Sequence, residues 1–390
     1  MLSVLAHFFA RGRWGSLVET TVEGQSLTAE DQLFIIMQAE LCLRATRGMA
    51  SPEVRICYER AESLCRSIND PRLLCRILMG QIGCTLITGK MSAALQIAER
   101  VYSLAQEQDD PTLVIGASSC LSMTFYNMGD FESGRQYARR AVQIWLSGRA
   151  QSHGEGLYTP IVTCLCYQAM SEWALGEITS CRANLAKGIS LAKELNDPNA
   201  LAMGINWAAV VSHADRNIAE VKRLASDLIE LSPRHNFVQW VAVGAIWGGW
   251  ARSASGDTAQ GITWIERGIS DYRATGAMLG LPFYLTLKAE ALHLAARTSE
   301  ALEVISEGET LAQRFEHRNV FSRLHRLRGV FLAAMGADEM QIEVSFCEAI
   351  RIAREQKSIS MATRAETIYA EYRRQKASRS GGRRLRLPLC

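Results

Sequence analysis

The sequence predicts an all-α protein in which about eight helical hairpins of about 40 residues stack into a right-handed superhelical solenoid with a C-terminal capping helix. Three observations predict this fold: turns recur at a nearly constant interval, helix-start signals separate the hairpins, and the intervening segments carry apolar residues at helical spacing. No stretch alternates apolar and polar residues long enough to indicate a sheet. With only 8 prolines in 390 residues, the chain can sustain long helices.

The turns consist of a glycine or a short polar pair between two helical segments. Successive turns are 41, 40, 47, 39, 41, 40 and 40 residues apart. They fall at Gly48, Gly89-Lys90, Gly129-Asp130, Gly176-Glu177, Asp215-Arg216, Gly256-Asp257, Ala296-Arg297 and Gly336-Ala337. The longest interval contains the stretch 147–158, which predicts an enlarged loop. Because one hairpin is too small to bury its own apolar face, neighbouring hairpins are expected to stack.

The start of many hairpin helices is marked by an N-cap side chain directly before proline. Aspartate or serine accepts hydrogen bonds from the free amides of the first turn, and proline at the first position has no amide to satisfy. This arrangement occurs at Ser51-Pro52, Asp70-Pro71, Asp110-Pro111, Asp197-Pro198 and Ser232-Pro233.

Small residues also recur at fixed distances from each turn and predict that paired helices approach closely. Examples are Ser122, Ala169 and Gly249 before the turn, and Ala94, Gly134 and Gly261 after it.

Composition and charge argue against several classes of protein. Lys and Arg total 43 against 40 Asp and Glu, and the net charge of +3 does not indicate a surface that coats nucleic acid. The 11 cysteines include no Cys-x-x-Cys pair, so they are expected to be small buried hydrophobes and not disulfides. No signal peptide and no span of about 18 apolar residues is recognised, which predicts a soluble cytoplasmic protein.

The order of local phrases resembles a group of bacterial signalling proteins. The spacing of small residues is similar to that of the tetratricopeptide repeat, with a period longer than the usual ~34 residues. Matching phrases run from Thr46–Val54 through Cys164–Tyr167 and Tyr272–Gly276 to Ile352–Gln356. They resemble the C-terminal repeat region of class III adenylate/guanylate cyclases and predicted signalling ATPases. The resemblance implies a regulatory repeat module whose partner is a cyclase or P-loop ATPase domain.

No catalytic motif accompanies this resemblance. A P-loop requires Gly-x-x-x-x-Gly-Lys-Ser/Thr after a strand, and the nearest string, Gly89-Lys90, is followed by Met91 in a helical segment. The catalytic residues of the resembled proteins therefore match no position here, and the chain is predicted not to be an enzyme and to need no cofactor or metal. The seven histidines, among them His317 and His325 at a spacing of two helical turns, are expected to be ordinary surface residues.

The candidate binding residues lie on the first helix of each hairpin, at about 13, 10, 6 and 3 positions before the turn. In tetratricopeptide-like hairpins these positions line the concave groove. The register selects Met123, Tyr126, Met170, Trp173, Trp250, Phe283, Glu290, His293, Arg323 and Arg326. Trp247 and Trp264 lie outside the register and are predicted to be in the core. Plain packing is the alternative for the whole set, because large rings also fill gaps between helices.

The predicted organisation is a poorly defined extension over 1–28, a repeat domain over 29–376 and a disordered basic tail over 377–390. The predicted function is that of a non-catalytic module of bacterial signalling, which binds a partner protein or peptide in its groove. One alternative is a sensor of a sugar or metabolite, and another is a detached fragment of a cyclase. Neither a membrane nor a nucleic acid is an expected partner, because the basic tail offers only salt-sensitive attraction to phosphates.

Overall fold

The computed structural model describes residues 21–22, 25–148, 160–234, 237–378 and 387–389. In these ranges the helices form eight antiparallel hairpins and one final helix. The hairpins are α1 (Ala29–Arg47) with α2 (Pro52–Ile68), α3 (Pro71–Ile87) with α4 (Met91–Glu107), α5 (Pro111–Asn127) with α6 (Phe131–Leu146), α7 (Pro160–Ala174) with α8 (Ile178–Glu194), α9 (Pro198–Ala214) with α10 (Ile218–Arg234), α11 (Val238–Ala254) with α12 (Thr258–Ala274), α13 (Leu281–Leu294) with α14 (Thr298–Arg314), and α15 (Phe321–Met335) with α16 (Glu339–Glu355). The final helix is α17 (Ile359–Ala377).

Two smaller elements complete the described structure. A 3-10 turn over Arg318–Val320 precedes α15. Strands β1 (Thr21–Val22) and β2 (Gln25–Ser26) pair antiparallel ahead of α1. Each helix packs on the next one along the chain, and the first helices of successive hairpins also pack on each other. This is the nearest-neighbour packing of a helical-repeat solenoid, and the predicted fold class is confirmed.

The predicted helix starts are confirmed at four of the five sites. Asp70 and Asp110 each accept hydrogen bonds from two amides of the following turn, and Asp197 accepts one from Ala200. Ser51 accepts one from Val54 at the start of α2.

The prediction of a helix start at Ser232-Pro233 is wrong. Helix α10 continues through both residues to Arg234, and α11 begins only at Val238. A proline in the last turn of a helix has a compatible φ and removes a single hydrogen bond, so it does not force a helix to start there.

The first helices of the early hairpins are buried on nearly all sides. Every residue of α7 except Pro160 is buried, and α5 exposes little more. In an open solenoid these helices would present one face to the concave groove. Here that face is covered as well, because the second half of the solenoid curves back against the first.

Loops of the second half, together with Arg364 on helix α17, make the covering contacts with the ends of the first helices. The backbone amide of Met278 donates to the carbonyl of Ile87 at 2.7 Å, and the hydroxyl of Ser358 donates to the carbonyl of Ala174 at 3.0 Å. Arg364 donates to the carbonyl of Ala214 at 2.7 Å. The last carbonyls of a helix lack partners within the helix. The returning loops therefore supply hydrogen-bond donors to groups that would otherwise face solvent.

The turn glycines lie where these loops arrive. Gly89 and Gly176 have φ of 83° and 86°, a region that favours glycine. A Cβ at Gly89 would lie 2.7 Å from the ring of Phe315, and one at Gly176 would lie 3.1 Å from Ile359. Glycine is therefore required at these turns both by backbone conformation and by the approach of the second half.

The two tryptophans predicted to be in the core differ. Trp247 is fully buried, which confirms the prediction. Trp264 is 37% exposed, so that prediction is wrong; the guanidinium of Arg252 lies 4.3 Å from the centre of its ring. A position outside the groove register can also face outward on the second helix, as Trp264 does on α12.

Parts of the sequence predictions fall outside the described residues. Most of the enlarged loop predicted at 147–158 does so, as do residues 379–386 of the tail. The predicted disordered tail also includes Leu387–Leu389, where the structure differs: Leu389 is 7% exposed and packs in the core. In the described part of the chain no helix is both long and apolar enough to span a bilayer.

Candidate functional site

Between the two halves of the solenoid lies a cavity of about 240 Å³. Its walls come from the C-terminal ends of α1 and α3, from α5, α7 and α9, and from the chain that leads into α11, α13 and α15. Six of the ten predicted groove residues line it: Met123, Tyr126, Met170, Trp173, Phe283 and Arg323. The repeat register thus selects residues that the tertiary fold brings together, although they come from four different hairpins.

Aromatic rings form one continuous wall of the cavity. The ring centres of Tyr126, Tyr167 and Trp207 are 5.3 to 5.6 Å apart, and all three pairs meet edge to face. This geometry places the positive edge of one ring on the negative face of the next. The indole N–H of Trp207 has no hydrogen-bond acceptor among the described residues. The wall therefore offers an apolar surface with a free donor.

Five amide side chains are among the polar groups of the cavity. Asn127, Asn199, Asn206, Gln239 and Asn319 line the cavity. Two of the amides are oriented by tryptophans: Trp240 donates to Asn199 at 2.7 Å, and Trp247 donates to Asn206 at 3.0 Å. An amide side chain carries both donors and acceptors, as a peptide backbone does.

The charged groups on the cavity are all basic. Arg44 and Arg323 line it, and no carboxylate is found among the described lining residues. The guanidinium of Arg323 lies 4.7 Å from the centre of the Phe283 ring. His317 also lines the cavity and is almost fully buried; burial lowers its pKa to about 4, so the ring is neutral at pH 7. The described lining therefore presents two cations and no carboxylate, and the partner carboxylate Glu40 lies behind it, 3.3 Å from Arg44.

The other four predicted groove residues do not line the cavity. Trp250 and Glu290 are fully buried, and Trp250 donates its indole N–H to Glu290 at 3.0 Å. His293 is half-buried, with its ring 4.9 Å from that of Phe331. Arg326 is 4% exposed and donates to the carbonyl of Leu389.

A buried polar network surrounds Glu290. One of its carboxylate oxygens lies 3.1 Å from Nε2 of His213 and 3.5 Å from the guanidinium of Arg216. Nδ1 of His213 lies 3.4 Å from the guanidinium of Arg323, which links the network to the cavity. The expectation that the histidines are surface residues is wrong for His213 and His317: His213 packs against Trp250, Phe283 and Glu290, and His317 is buried in the wall of the cavity.

The ionisation states in this network follow from burial and neighbouring charge. Burial lowers the pKa of His213 to about 4, although Glu290 pulls in the opposite direction. Burial alone would raise the pKa of Glu290, but His213, Arg216 and Arg323 outweigh it and hold that pKa at about 2. At pH 7 the network therefore contains a carboxylate and a neutral imidazole.

Acidification from pH 7 to pH 5 is expected to lower the free energy of unfolding by about 2 kcal/mol for each of His213 and His317. In the unfolded chain both bind a proton near pH 6.5, whereas in the folded protein their pKa is about 4. The unfolded state therefore holds more protons between these values, and stability is lost as the pH falls through this window. Urea unfolding at both pH values measures the loss.

The control for this pH effect is His317→Asn, which removes one of the buried histidines whose pKa is lowered; burial lowers the pKa of His293 and His325 as well. The loss of stability between pH 7 and pH 5 should shrink by about 2 kcal/mol in the variant. An unchanged loss would show that His317 does not titrate as its burial implies.

Sequence reasoning missed several residues of the cavity wall. Tyr167 and Trp207 lie on first helices but outside the four register positions. His317 and Asn319 lie on a loop between hairpins, to which the register does not apply. For Trp207 the available sequence signal is the concentration of tryptophans between residues 207 and 264.

The fold and the cavity define the protein as a helical-repeat solenoid that closes around an internal pocket. No protein-family model matches the sequence. An uncharacterized protein of Rhizobium meliloti (strain 1021) is 23% identical over 270 residues, which cover 69% of this chain and 26% of that protein. The match thus spans about a quarter of the length of the relative.

Two solved structures share the fold. A Rap protein complexed with competence and sporulation factor has a TM-score of 0.55 and 9% identity, over 89% of this chain and 99% of that one. The APC/C hetero-tetramer Cut9-Hcn1 has a TM-score of 0.50 and 11% identity, over 93% of this chain and 64% of that one. At these identities the similarity shows the helical-repeat fold alone.

Proposed function

We propose that this protein is a non-catalytic regulatory module that binds a peptide segment of a partner protein in the cavity between the two halves of its solenoid. The observation that carries the proposal is the convergence of aromatic and amide side chains from both halves on one cavity. Concave sites lined by apolar rings with a few placed polar groups are typical of ligand binding.

The lining favours an uncharged or acidic peptide with large apolar side chains. The rings of Tyr126, Tyr167 and Trp207 would pack against such side chains, as aromatic anchors do in other interfaces. The amides of Asn127 and Asn319 would pair with the peptide backbone. A lysine or arginine in the ligand would meet Arg44 and Arg323 without a lining carboxylate, and would be disfavoured.

Binding in the cavity would also link the two halves of the solenoid. A ligand that contacts Tyr126 in the first half and Phe283 in the second would hold the two halves together. It would stabilise this closed conformation relative to one in which the two halves move apart. The protein could then present a different outer surface to a partner with and without the peptide. We propose a cyclase or P-loop ATPase domain of a cytoplasmic signalling system as that partner, on the basis of the sequence resemblance.

Met203→Arg is expected to abolish peptide binding. Met203 is half-buried in the cavity wall, so an arginine there fills the space and adds charge. Twelve-residue peptides selected by display against the purified protein would be tested by fluorescence anisotropy. Their affinity should fall at least about tenfold in the variant, because the loss of a buried contact is worth more than 1.4 kcal/mol.

The matched control is Met340→Arg, which makes the same substitution at a position that is 72% exposed on α16. It should leave peptide affinity unchanged. If the selected peptides bind both variants as tightly as the unmodified protein, they do not occupy the cavity and the proposal is wrong.

The second candidate function is a sensor of a small molecule. It is favoured by the concave shape of the cavity and by its unpaired polar atoms, which in the described structure include Nε1 of Trp207 and Nε2 of His317. A thermal-shift screen with a metabolite library separates the two functions. A ligand present at 100 times its Kd adds about 2.7 kcal/mol of stability, and Met203→Arg should remove that gain.

A further inference from the structure

The short segment Leu387–Leu389 lies on the inner surface of the second half of the solenoid. Its residues alternate in burial: Leu387 is half-buried, Pro388 is exposed and Leu389 is 7% exposed. Such alternation is typical of an extended chain that lies along a surface. The side chain of Leu389 belongs to the main hydrophobic core, and Leu387 packs against it.

Arg326 is the polar contact of this segment. Its guanidinium donates to the backbone carbonyl of Leu389, and the arginine itself is only 4% exposed. A buried guanidinium requires acceptors, because it cannot lose its charge in a protein. A contact with a carbonyl recognises the main chain and not a particular side chain. The leucine pocket next to it adds selectivity for an apolar residue.

The contact is small and belongs to the same chain as the surface that it covers. Residues 378–386 connect it to the end of α17, and nine residues can span up to about 30 Å. Three residues bury little surface, so the intrinsic affinity is expected to be low. A short tether supplies an effective concentration in the millimolar range, which is enough to keep such a weak ligand bound.

We propose that the surface at Arg326 is a peptide-binding site for extended apolar segments of the Leu-Pro-Leu type, and that Leu387–Leu389 is a releasable ligand that occupies it within the same chain. A partner segment of this chemistry would displace Leu387–Leu389. The site is one helical turn from Arg323 but does not line the cavity, so the proposal does not depend on peptide binding there.

The test uses the full chain with Leu389→Lys, which should expel the segment because a second cation is not tolerated in an apolar pocket next to the buried guanidinium of Arg326. The probe is a synthetic peptide of residues 385–390 with Cys390→Ser, followed by saturation-transfer difference NMR of its leucine methyl groups. The signal should be at least about fivefold larger with the variant than with the unmodified chain, in which the tethered segment competes.

Three controls make the result decisive. Adding Arg326→Gln to Leu389→Lys should remove the signal, and a scrambled peptide should give none. Adding Met203→Arg should leave the signal unchanged, which separates this site from the cavity. Equal signals with the unmodified chain and Leu389→Lys, no signal with either, or a signal that survives Arg326→Gln while circular dichroism shows native helix content would each overturn the proposal.

Discussion

Trp250→Ala is expected to lower the free energy of unfolding by about 4 kcal/mol. The side chain is fully buried between α11 and its neighbours, so truncation leaves a large cavity. It also removes the N–H that donates to Glu290, a carboxylate that is itself fully buried. An ionised group that loses a hydrogen bond away from water costs additional free energy. Equilibrium unfolding in urea measures the change.

Two control variants separate the causes of this loss. Trp250→Phe keeps a ring but removes the N–H, and should cost about 1–3 kcal/mol. Trp264→Ala removes the same side chain from a position that is 37% exposed, and should cost about 1 kcal/mol or less. Equal losses for Trp250→Ala and Trp264→Ala would contradict the burial of Trp250.

The expected loss of stability in Trp250→Ala differs from the effect that the groove register predicts. As a groove residue, Trp250 would affect partner binding more than stability. The structure places it behind the inner surface, where Arg216 and the ring of His213 cover it. Its substitution is therefore expected to act on folding first.

Gly261→Ala is expected to lower the free energy of unfolding by about 3 kcal/mol, although alanine favours a helix more than glycine does. Helices α11 and α12 approach so closely at this point that a Cβ on Gly261 would lie 2.6 Å from the carbonyl oxygen of Gly249 and 2.8 Å from the amide nitrogen of Ser253. Backbone atoms cannot move aside as a flexible side chain can. The two helices would have to separate, which would expose their shared apolar surface.

Gly188→Ala is the matched control on helix α8. A Cβ there would meet Leu165 at 3.3 Å and Cys166 at 3.5 Å, which are side-chain contacts near ordinary packing distance. The stability should stay within about 1 kcal/mol of the unmodified protein, because the gain in helix propensity offsets mild crowding. If thermal unfolding shows the same loss for both variants, close approach of the α11 and α12 backbones is not the cause.

The local architecture could be predicted from the sequence because its signals are local. Aspartate before proline at residues 70 and 110 specifies a helix start through contacts within four residues. The small residues around each turn specify close packing within one hairpin: Ser122, for example, donates to the carbonyl of Gly134 at 2.8 Å. The prediction at Ser232-Pro233 is wrong because a Ser-Pro pair looks the same in the sequence whether it lies in the last turn of one helix or at the start of the next.

The candidate site was predictable only in part. The register identifies Tyr126 and Trp173 because the first helix of a hairpin faces inward in any solenoid of this type. It also selects Trp250 and Glu290, which are fully buried because His213 and Arg216 pack against both. It cannot find His317, because this residue reaches the cavity from a loop whose position depends on the rest of the chain.

The sequence by itself determined the helices, their caps and the pairing of neighbours, since these depend on interactions within about 40 residues. Only the tertiary structure decided that the solenoid closes on itself, where its cavity lies and which inward residues are buried. The deciding contacts, such as Ser92 with Glu316 and Ser358 with Ala174, join residues 224 and 184 positions apart. Whether these residues meet depends on how far each hairpin is rotated relative to the previous one, added up over the whole solenoid. The rotation between two neighbouring hairpins is small and cannot be predicted from the residues of one hairpin.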